Sequence, residues 1–418
     1  MPARDDEVQA LVEQLSAELR RSVLVDDAGL RLLAYSPSQG SDDEVRRTAI
    51  LTRETPRPVR EAHFSQGIAH ATEPVRTAPR PELGLQSRVC VPIRCQGVLF
   101  GYLWLIDADA SLSGEDTELA ERCATEIGEA MYRREELERP RRELERRALE
   151  ELLGPDAAVR EHAAHELVAE DLIVAGSVGV LALRCSQDAE LSPPDKARLG
   201  LAVDQFRRGL PARHSLSVVR GDHGLLLVAL DAHLQRTGGL AELARRAQDA
   251  LERTLEHVVI GHSEPCEHLT DAHRAHEHAR LAMRVAGCAP EHPSPAGWAD
   301  LGAYRMLAQA AESPGAEALV HPGLPQLFAQ QASDALVATL ETYLDNGCDT
   351  KLTAEALFLH RASLYYRLQR IEALTGASLR SGDDRLALHA SLKLARLLGI
   401  HPALRGGRSA APGFPTSA

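Results

Sequence analysis

The chain has 418 residues, of which 44% are hydrophobic and 26% charged, and a formal net charge of -13. That length exceeds one ordinary hydrophobic core and points to about three domains; no apolar run approaches the roughly 20 residues of a membrane helix, and the charged opening MPARDDEVQA has no apolar signal core. The expectation is a globular cytoplasmic protein with no membrane partner, whose seven scattered cysteines, odd in number and without CxxC spacing, are free thiols.

Residues 7–21 carry apolar positions in helical rhythm, and Val23–Asp26 and Arg31–Tyr35 read as strands across an Asp-Asp-Ala-Gly turn. The Pro-rich stretch from Thr55 to Pro81 reads as loop. The run SRVCVPIRCQGVLFGYLWLID predicts two strands joined at Gln96-Gly97. From Glu115 to Leu153 a highly charged helix is expected, with Cys123, Ile127, Ala130, Leu137, Leu144 and Ala148 near heptad spacing. Arg134 and Arg141 interrupt that seam, and Pro140 is expected to kink or break the helix. The segment is either a dimer helix or a solvated connector.

Between 155 and 288 the strands LIVAGSVGVLALRC, HSLSVVRGDHGLLLVALD and HVVIGHSE alternate with helical stretches such as Pro194–Arg208 and Leu240–Thr254. Ala289–Gly297, APEHPSPAG, reads as a boundary, everything beyond it as helix, and the tail from Arg405 as disordered. The fold class is therefore multidomain α/β plus all-α. Its expected parts are an N-terminal sensor over 1–135, a connecting helix over 115–153, an α/β domain over 155–290, a helical domain over 298–400, and a tail over 405–418.

The helical block holds TAEALFLHRASLYYRLQRI, residues 353–371. Its periodicity breaks at Phe358-Leu359-His360, which predicts two short helices and a tight turn within 350–371. On the second helix Leu364, Leu368 and Ile371 share one face, and Ala362, Tyr366 and Gln369 point away from it, flanked by Arg361, Ser363, Arg367 and Arg370. A helix entering the major groove needs this division, with an inner face fixed to the domain, small or hydrogen-bonding residues outward, and cations at the margins for phosphates. From Thr350 to Ile371 the cations Lys351, Arg361, Arg367 and Arg370 face only Glu355, so this segment is basic in an acidic chain. The expected DNA contacts are Lys351, Arg361, Ala362, Ser363, Tyr366, Arg367, Gln369 and Arg370, with Arg361, Arg367 and Arg370 mainly on phosphates.

Periodicity alone leaves an ordinary helical hairpin with a solvated basic edge equally open. The strings LVATLETYLDNG, TAEALFLHRASLYYRLQRIEALTG and DDRLALHASLKLARLL, however, resemble the C-terminal DNA-binding domain of the purine-catabolism-regulator (PucR) family of bacterial transcription factors. The likeness covers roughly Leu336–Leu398 and includes His360-Arg361, Tyr366-Arg367-Leu368 and Asp384-Arg385-Leu386. Where that family usually has Arg-Asn-Thr-Leu, this chain has Arg361-Ala362-Ser363-Leu364, so a base-reading amide is absent.

The family's middle domain is similar to a diguanylate cyclase that has lost activity, and Arg220-Gly221-Asp222-His223-Gly224 stands where such a cyclase carries Gly-Gly-Asp-Glu-Phe. A two-metal phosphoryl-transfer site needs several carboxylates, and Asp222 alone does not supply them. Residues 1–135 resemble a GAF-type domain, which implies a small-molecule pocket or a dimer surface. His268, His273, His276 and His278 lie in EHLTDAHRAHEHARLAMR without a metal-binding spacing, and read as neutral imidazoles on a solvated helix. Cys90 and Cys95 read as structural thiols on opposite faces of one strand.

The resulting expectation is a non-enzymatic, PucR-type transcription regulator that binds double-stranded DNA as a homodimer or larger assembly and answers a small-molecule effector, without cofactor or metal. The competing readings are a nucleotide-cyclase-like enzyme and a metal- or redox-sensing interaction protein.

Overall fold

A computed structural model describes residues 6–39, 43–186, 190–330 and 333–407. The chain divides into two compact units that meet in sequence after Glu143.

The first unit is built on α1 (Asp6–Leu19), β1 (Val23–Asp27), β2 (Leu32–Tyr35), α2 (Glu44–Thr52), α3 (Arg57–Ser65), β3 (Val75–Thr77), β4 (Arg88–Cys95) and β5 (Val98–Ile106), followed by α4 (Gly114–Leu152). Its sheet runs in the order β2-β1-β5-β4-β3, all antiparallel. The expected hairpin of β4 and β5 forms, and both turn residues, Gln96 and Gly97, take positive φ (49° and 80°), as a two-residue hairpin turn with the twist of its strands requires. The stretch 55–81, expected as loop, instead contains α3 and the edge strand β3. Pro58 falls in the first turn of α3, where its missing N–H has no intrahelical partner to lose.

One face of this sheet is apolar. Val23, Val25, Val89, Val91, Leu103 and Leu105 pack there with Val12 and Leu15 of α1 and with Ala120, Ala124 and Ile127 of α4. Helix α4 also corrects an expectation, because Pro140 stands inside it without ending it. Around Pro140 the helix is solvated: Leu137 is 80% exposed, and Arg142 pairs with both Glu135 and Glu138. Water can therefore serve a carbonyl that the proline leaves open.

The last turns of α4 belong to the second unit, with Ala148, Leu149 and Leu152 in its core. There follow α5 (Ala157–Ala169), β6 (Val178–Arg184), α6 (Pro193–Arg208), β7 (Ser215–Val219), β8 (Gly224–Ala229), α7 (Ala232–Arg236), α8 (Gly239–Leu251), β9 (Val259–His262), α9 (Ala272–Ala286) and β10 (Ala296–Gly297). The strands order as β10-β9-β6-β8-β7. Val180, Leu225 and Leu227 face α5 and α9, while Leu181, Leu183, Leu226 and Val228 face α6 and α8. Gly261 lets α9 lie directly on β9, since a Cβ there would come within 2.0 Å of the Met283 amide nitrogen.

Residues 289–297, expected as a boundary, take part in this packing. Ala296 and Gly297 pair in parallel with β9, and Ala289, Ala296 and Trp298 share one core with Leu281, Ala282 and Val285 of α9 and with the helices that follow. Those helices are α10 (Tyr304–Ala310), α11 (Leu324–Phe328), α12 (Ser333–Asp345), α13 (Thr350–Ala356), α14 (Arg361–Thr375) and α15 (Gly382–Leu397). Of the tail expected to be disordered, residues 405–407 end a 3-10 turn over Pro402–Gly407, and 408–418 lie outside the described residues.

Candidate nucleic-acid interface

Helices α13 and α14 form the expected helix-turn-helix. Asp349 caps α13, its carboxylate accepting from the backbone N–H of Lys351 at 2.7 Å and of Leu352 at 2.9 Å. These bonds favour the charged carboxylate and hold its pKa below the ordinary value. The turn passes through Phe358 in the left-handed region (φ 52°), with its side chain 97% exposed, and α14 begins at Arg361 behind a His360 cap. Gly376, at φ 72°, ends α14.

The inner face of α14 is the expected one, since Leu364, Leu368 and Ile371 are all buried in the core shared with Leu340, Ala354, Leu388 and Leu392. Arg361, Ala362, Ser363, Tyr366, Gln369 and Arg370 are exposed on the outer side, Tyr366 to 73%. Lys351 is exposed in the first turn of α13. Arg367 differs from its neighbours. It is half-buried, and one guanidinium nitrogen donates to Thr339 Oγ1 of α12 at 3.1 Å. Ala362, Ser363, Tyr366, Arg367 and Arg370 also line a groove of about 660 Å³ whose opposite wall is Gln330, Ala335 and Leu336. Those three residues were missed in the sequence reading, because nothing local indicates that the start of α12 comes alongside α14.

The turn between β7 and β8 presents different chemistry. His223 is buried; its Nδ1 lies 2.7 Å from Asp222 Oδ1 and its Nε2 lies 2.8 Å from Nε2 of His276 on α9. The bond to His223 holds the Asp222 carboxyl down at about 2, while burial, with His223 adding to it, holds the His276 imidazole down at about 3. The expected solvated histidine helix is thus corrected at His276, which faces inward on α9, and at His278, half-buried with its ring stacked 4.5 Å from Trp298. Among the described residues no group of three or more His, Cys, Asp or Glu is arranged to hold a metal ion. The cysteines are free, and burial pushes the Cys90 thiol up. No described helix is long and apolar enough to cross a membrane.

A buried triad anchoring an exposed basic helix, behind a capped helix and a tight turn, defines a DNA-binding protein of the helix-turn-helix class. Comparison with known proteins gives the family. Residues 336–394 match the PucR C-terminal helix-turn-helix domain, residues 171–285 a GGDEF-like domain and residues 5–131 a GAF domain. The chain is 23% identical over 409 residues to the proline-responsive transcriptional activator PutR of Bacillus subtilis (strain 168), covering 93% of this chain and 96% of that one. It is 19% identical over 399 residues to the DNA-binding transcriptional activator AdeR of the same organism, covering 93% of each. Over 69 residues it is 36% identical to that organism's purine catabolism regulatory protein, 16% of this chain and 13% of that one. The chain thus joins a PucR C-terminal helix-turn-helix domain to GGDEF-like and GAF domains, and the proteins it is similar to along most of its length are transcriptional activators.

Proposed function

We propose that this regulator reads operator DNA with the outer face of α14 and that its GAF domain receives a small-molecule signal. The observation that carries the reading is the exposed strip from Arg361 to Arg370 over the buried Leu364, Leu368 and Ile371. Arg361, Arg370 and Lys351 are positioned for phosphates, and Ala362, Ser363, Tyr366 and Gln369 for base edges. Arg367, bonded to Thr339, steadies α14 on α12 and offers its remaining nitrogens to the backbone of the DNA. One short helix offers few contacts, so the working form is a homodimer on two half-sites, acting in the cytoplasm.

A small-molecule signal suits the relatives, one of which is named for its response to proline. The middle domain serves as a non-catalytic link. The Asp222 carboxylate is engaged by His223, and the turn supplies no second carboxylate for a metal-bound triphosphate.

Fluorescence anisotropy with the region upstream of the protein's own gene, over a salt series, tests the central claim. Binding that weakens with salt, and whose logarithmic salt slope falls by about two in an Arg361→Ala/Arg370→Ala variant, supports it. An unchanged slope and affinity in that variant removes α14 from the interface. Cyclic dinucleotide formed with Mg²⁺ and nucleoside triphosphate would overturn the non-catalytic assignment.

A further inference from the structure

Strands β1, β4 and β5 alternate their side chains between two faces, and the face away from α1 and α4 is unlike the other. It carries Leu24, Asp26, Cys90, Tyr102 and Trp104, all buried, beneath Ala49 of α2 and Ile68. Asp26 stands directly across from Tyr102, and Trp104 is flanked by Leu24 on one side and Cys90 on the other. The His63 ring of α3 covers Trp104 at a centroid distance of 4.4 Å.

Among the described residues three polar atoms here have no hydrogen-bond partner, Asp26 Oδ1, Tyr102 OH and His63 Nδ1, while the Trp104 indole N–H is engaged with the Asp26 carboxyl. Their residues are at most 2% exposed. Folded proteins leave only about a few buried polar atoms unsatisfied per hundred residues, so three gathered on one sheet face call for a partner that is not part of the chain. We infer that this face is a binding site for a small organic ammonium ion, held by the Asp26 carboxylate against the rings of Trp104 and Tyr102. The inference rests on the reading of the GAF domain as the part that receives a signal.

The charge follows from what surrounds Asp26. Burial, with the charge of Asp27 adding to it, pushes its carboxyl up to about 8 against the opposing pull of Arg88. That arginine is already paired, its Nη2 lying 2.6 Å from both Asp43 carboxylate oxygens. Arg94 of β4 acts on Tyr102 and the paired Asp43 on His63, and the remaining titratable groups facing the site are Cys90 of β4, Tyr102 of β5 and His63 of α3. Burial keeps all three uncharged at neutral pH, with His63 held down at about 3 and Tyr102 pushed up to about 12. An ammonium ion supplies a counter-charge and N–H donors to the carboxylate, and the two tilted aromatic rings, with centroids 6.0 Å apart, attract it further. An anion would meet the Asp26 carboxylate. The apolar walls, Leu24, Leu32 and Ile68, suit a compact hydrocarbon body.

Trp104 reports on its own site, since the chain has only one other tryptophan, Trp298. The test titrates the full chain with isopropylammonium, L-valine and isobutyrate, which share one hydrocarbon body, following tryptophan emission in wild type and in a Trp298→Phe variant. Expected is a saturable emission change with isopropylammonium or L-valine, retained in Trp298→Phe, and none with isobutyrate. Tighter L-valine binding would place a carboxylate beside the amine in the physiological ligand; tighter isopropylammonium binding would make that ligand a plain amine. Asp26→Asn should weaken binding at least about tenfold, as loss of a charge-assisted contact does, with circular dichroism checking its fold. Tyr102→Phe, which keeps the ring, should weaken it a few-fold. Affinity should rise from pH 6 to 8 as the carboxyl ionises. Equal binding of isobutyrate, binding indifferent to Asp26→Asn, or no response to either ammonium compound overturns the inference. DNA anisotropy on the same preparation separates the two claims. Intact DNA binding without ammonium binding removes this site alone, whereas ammonium binding without DNA binding removes the assignment of α14.

Discussion

In the second unit, residues 178–183 of β6 and 225–229 of β8 are apolar without interruption and buried on both faces of their sheet. In the first unit, β1 and β5 send Val23, Val25, Leu103 and Leu105 to one face but Asp26, Tyr102 and Trp104 to the other. Both sheets have five strands and are covered by helices. A sheet that serves only as scaffold has no reason to bury a carboxylate, because each buried polar group left unpaired costs about 1–3 kcal/mol. Retaining such groups is the cost of a function, and in the first unit they gather on one face of the sheet. In the second unit the buried His223 and His276 are bonded to each other, and His223 to the partly exposed Asp222, at the end of the β7–β8 hairpin, so they cost far less.

This contrast can be broken most sharply in the scaffold sheet. Leu227→Ala should destabilise the second unit by about 3 kcal/mol, with hydrogen exchange of β8 peptides as the readout; a cost below about 1 kcal/mol would mean that the sheet tolerates cavities and is not a rigid core. The two units should also respond oppositely to pH. His276 is held neutral down to about pH 3, whereas the unfolded chain takes up its proton near the ordinary histidine value. The second unit therefore loses stability as pH falls below about 6.5, by up to about 1 kcal/mol per pH unit, and His276→Gln should flatten that slope.

Asp26 works in the other direction. Its folded carboxyl keeps a proton up to about pH 8 that the unfolded chain gives up near pH 4, so its contribution is lost as pH rises through that window. Below about 6.5 the depressed imidazole of His63 opposes this trend. Between 6.5 and 8 Asp26 acts alone, and β5 peptides should lose protection by up to about 1 kcal/mol per pH unit in wild type but not in Asp26→Asn. Parallel slopes in the two units would erase the distinction. The smallest effect is the most diagnostic: Tyr102→Phe removes a buried hydroxyl that has no partner among the described residues, and should raise stability by about 1 kcal/mol. A loss beyond about 1 kcal/mol would reveal a structural partner for that hydroxyl.

The readable parts of the sequence were those governed by local rules. Alternation of apolar residues and the Gln96-Gly97 turn specify the β4–β5 hairpin. The spacing of Leu364, Leu368 and Ile371 on one helical face, with arginines beside it, specifies the inner and outer sides of α14. Proline was the misleading signal. Pro58 begins a helix, Pro140 rides inside one, and Pro295 precedes a strand, because each lies where a missing N–H is tolerated. The histidines of α9 misled for another reason. A helical wheel shows which residues share a face, but not that the β7–β8 turn brings His223 against His276.

The sequence by itself determined the class of this protein, since the basic helix, its capped partner and the collinear motifs around them are written in consecutive residues. It also determined the main strands and helices, whose periods follow from backbone geometry. The tertiary structure alone decided which polar residues meet. Asp26, His63, Tyr102 and Trp104 come from β1, α3 and β5, and Arg367 finds Thr339 across 28 positions of sequence. The free energy of a buried charge depends on the neighbours that replace its water, and folding supplies those neighbours from distant parts of the chain.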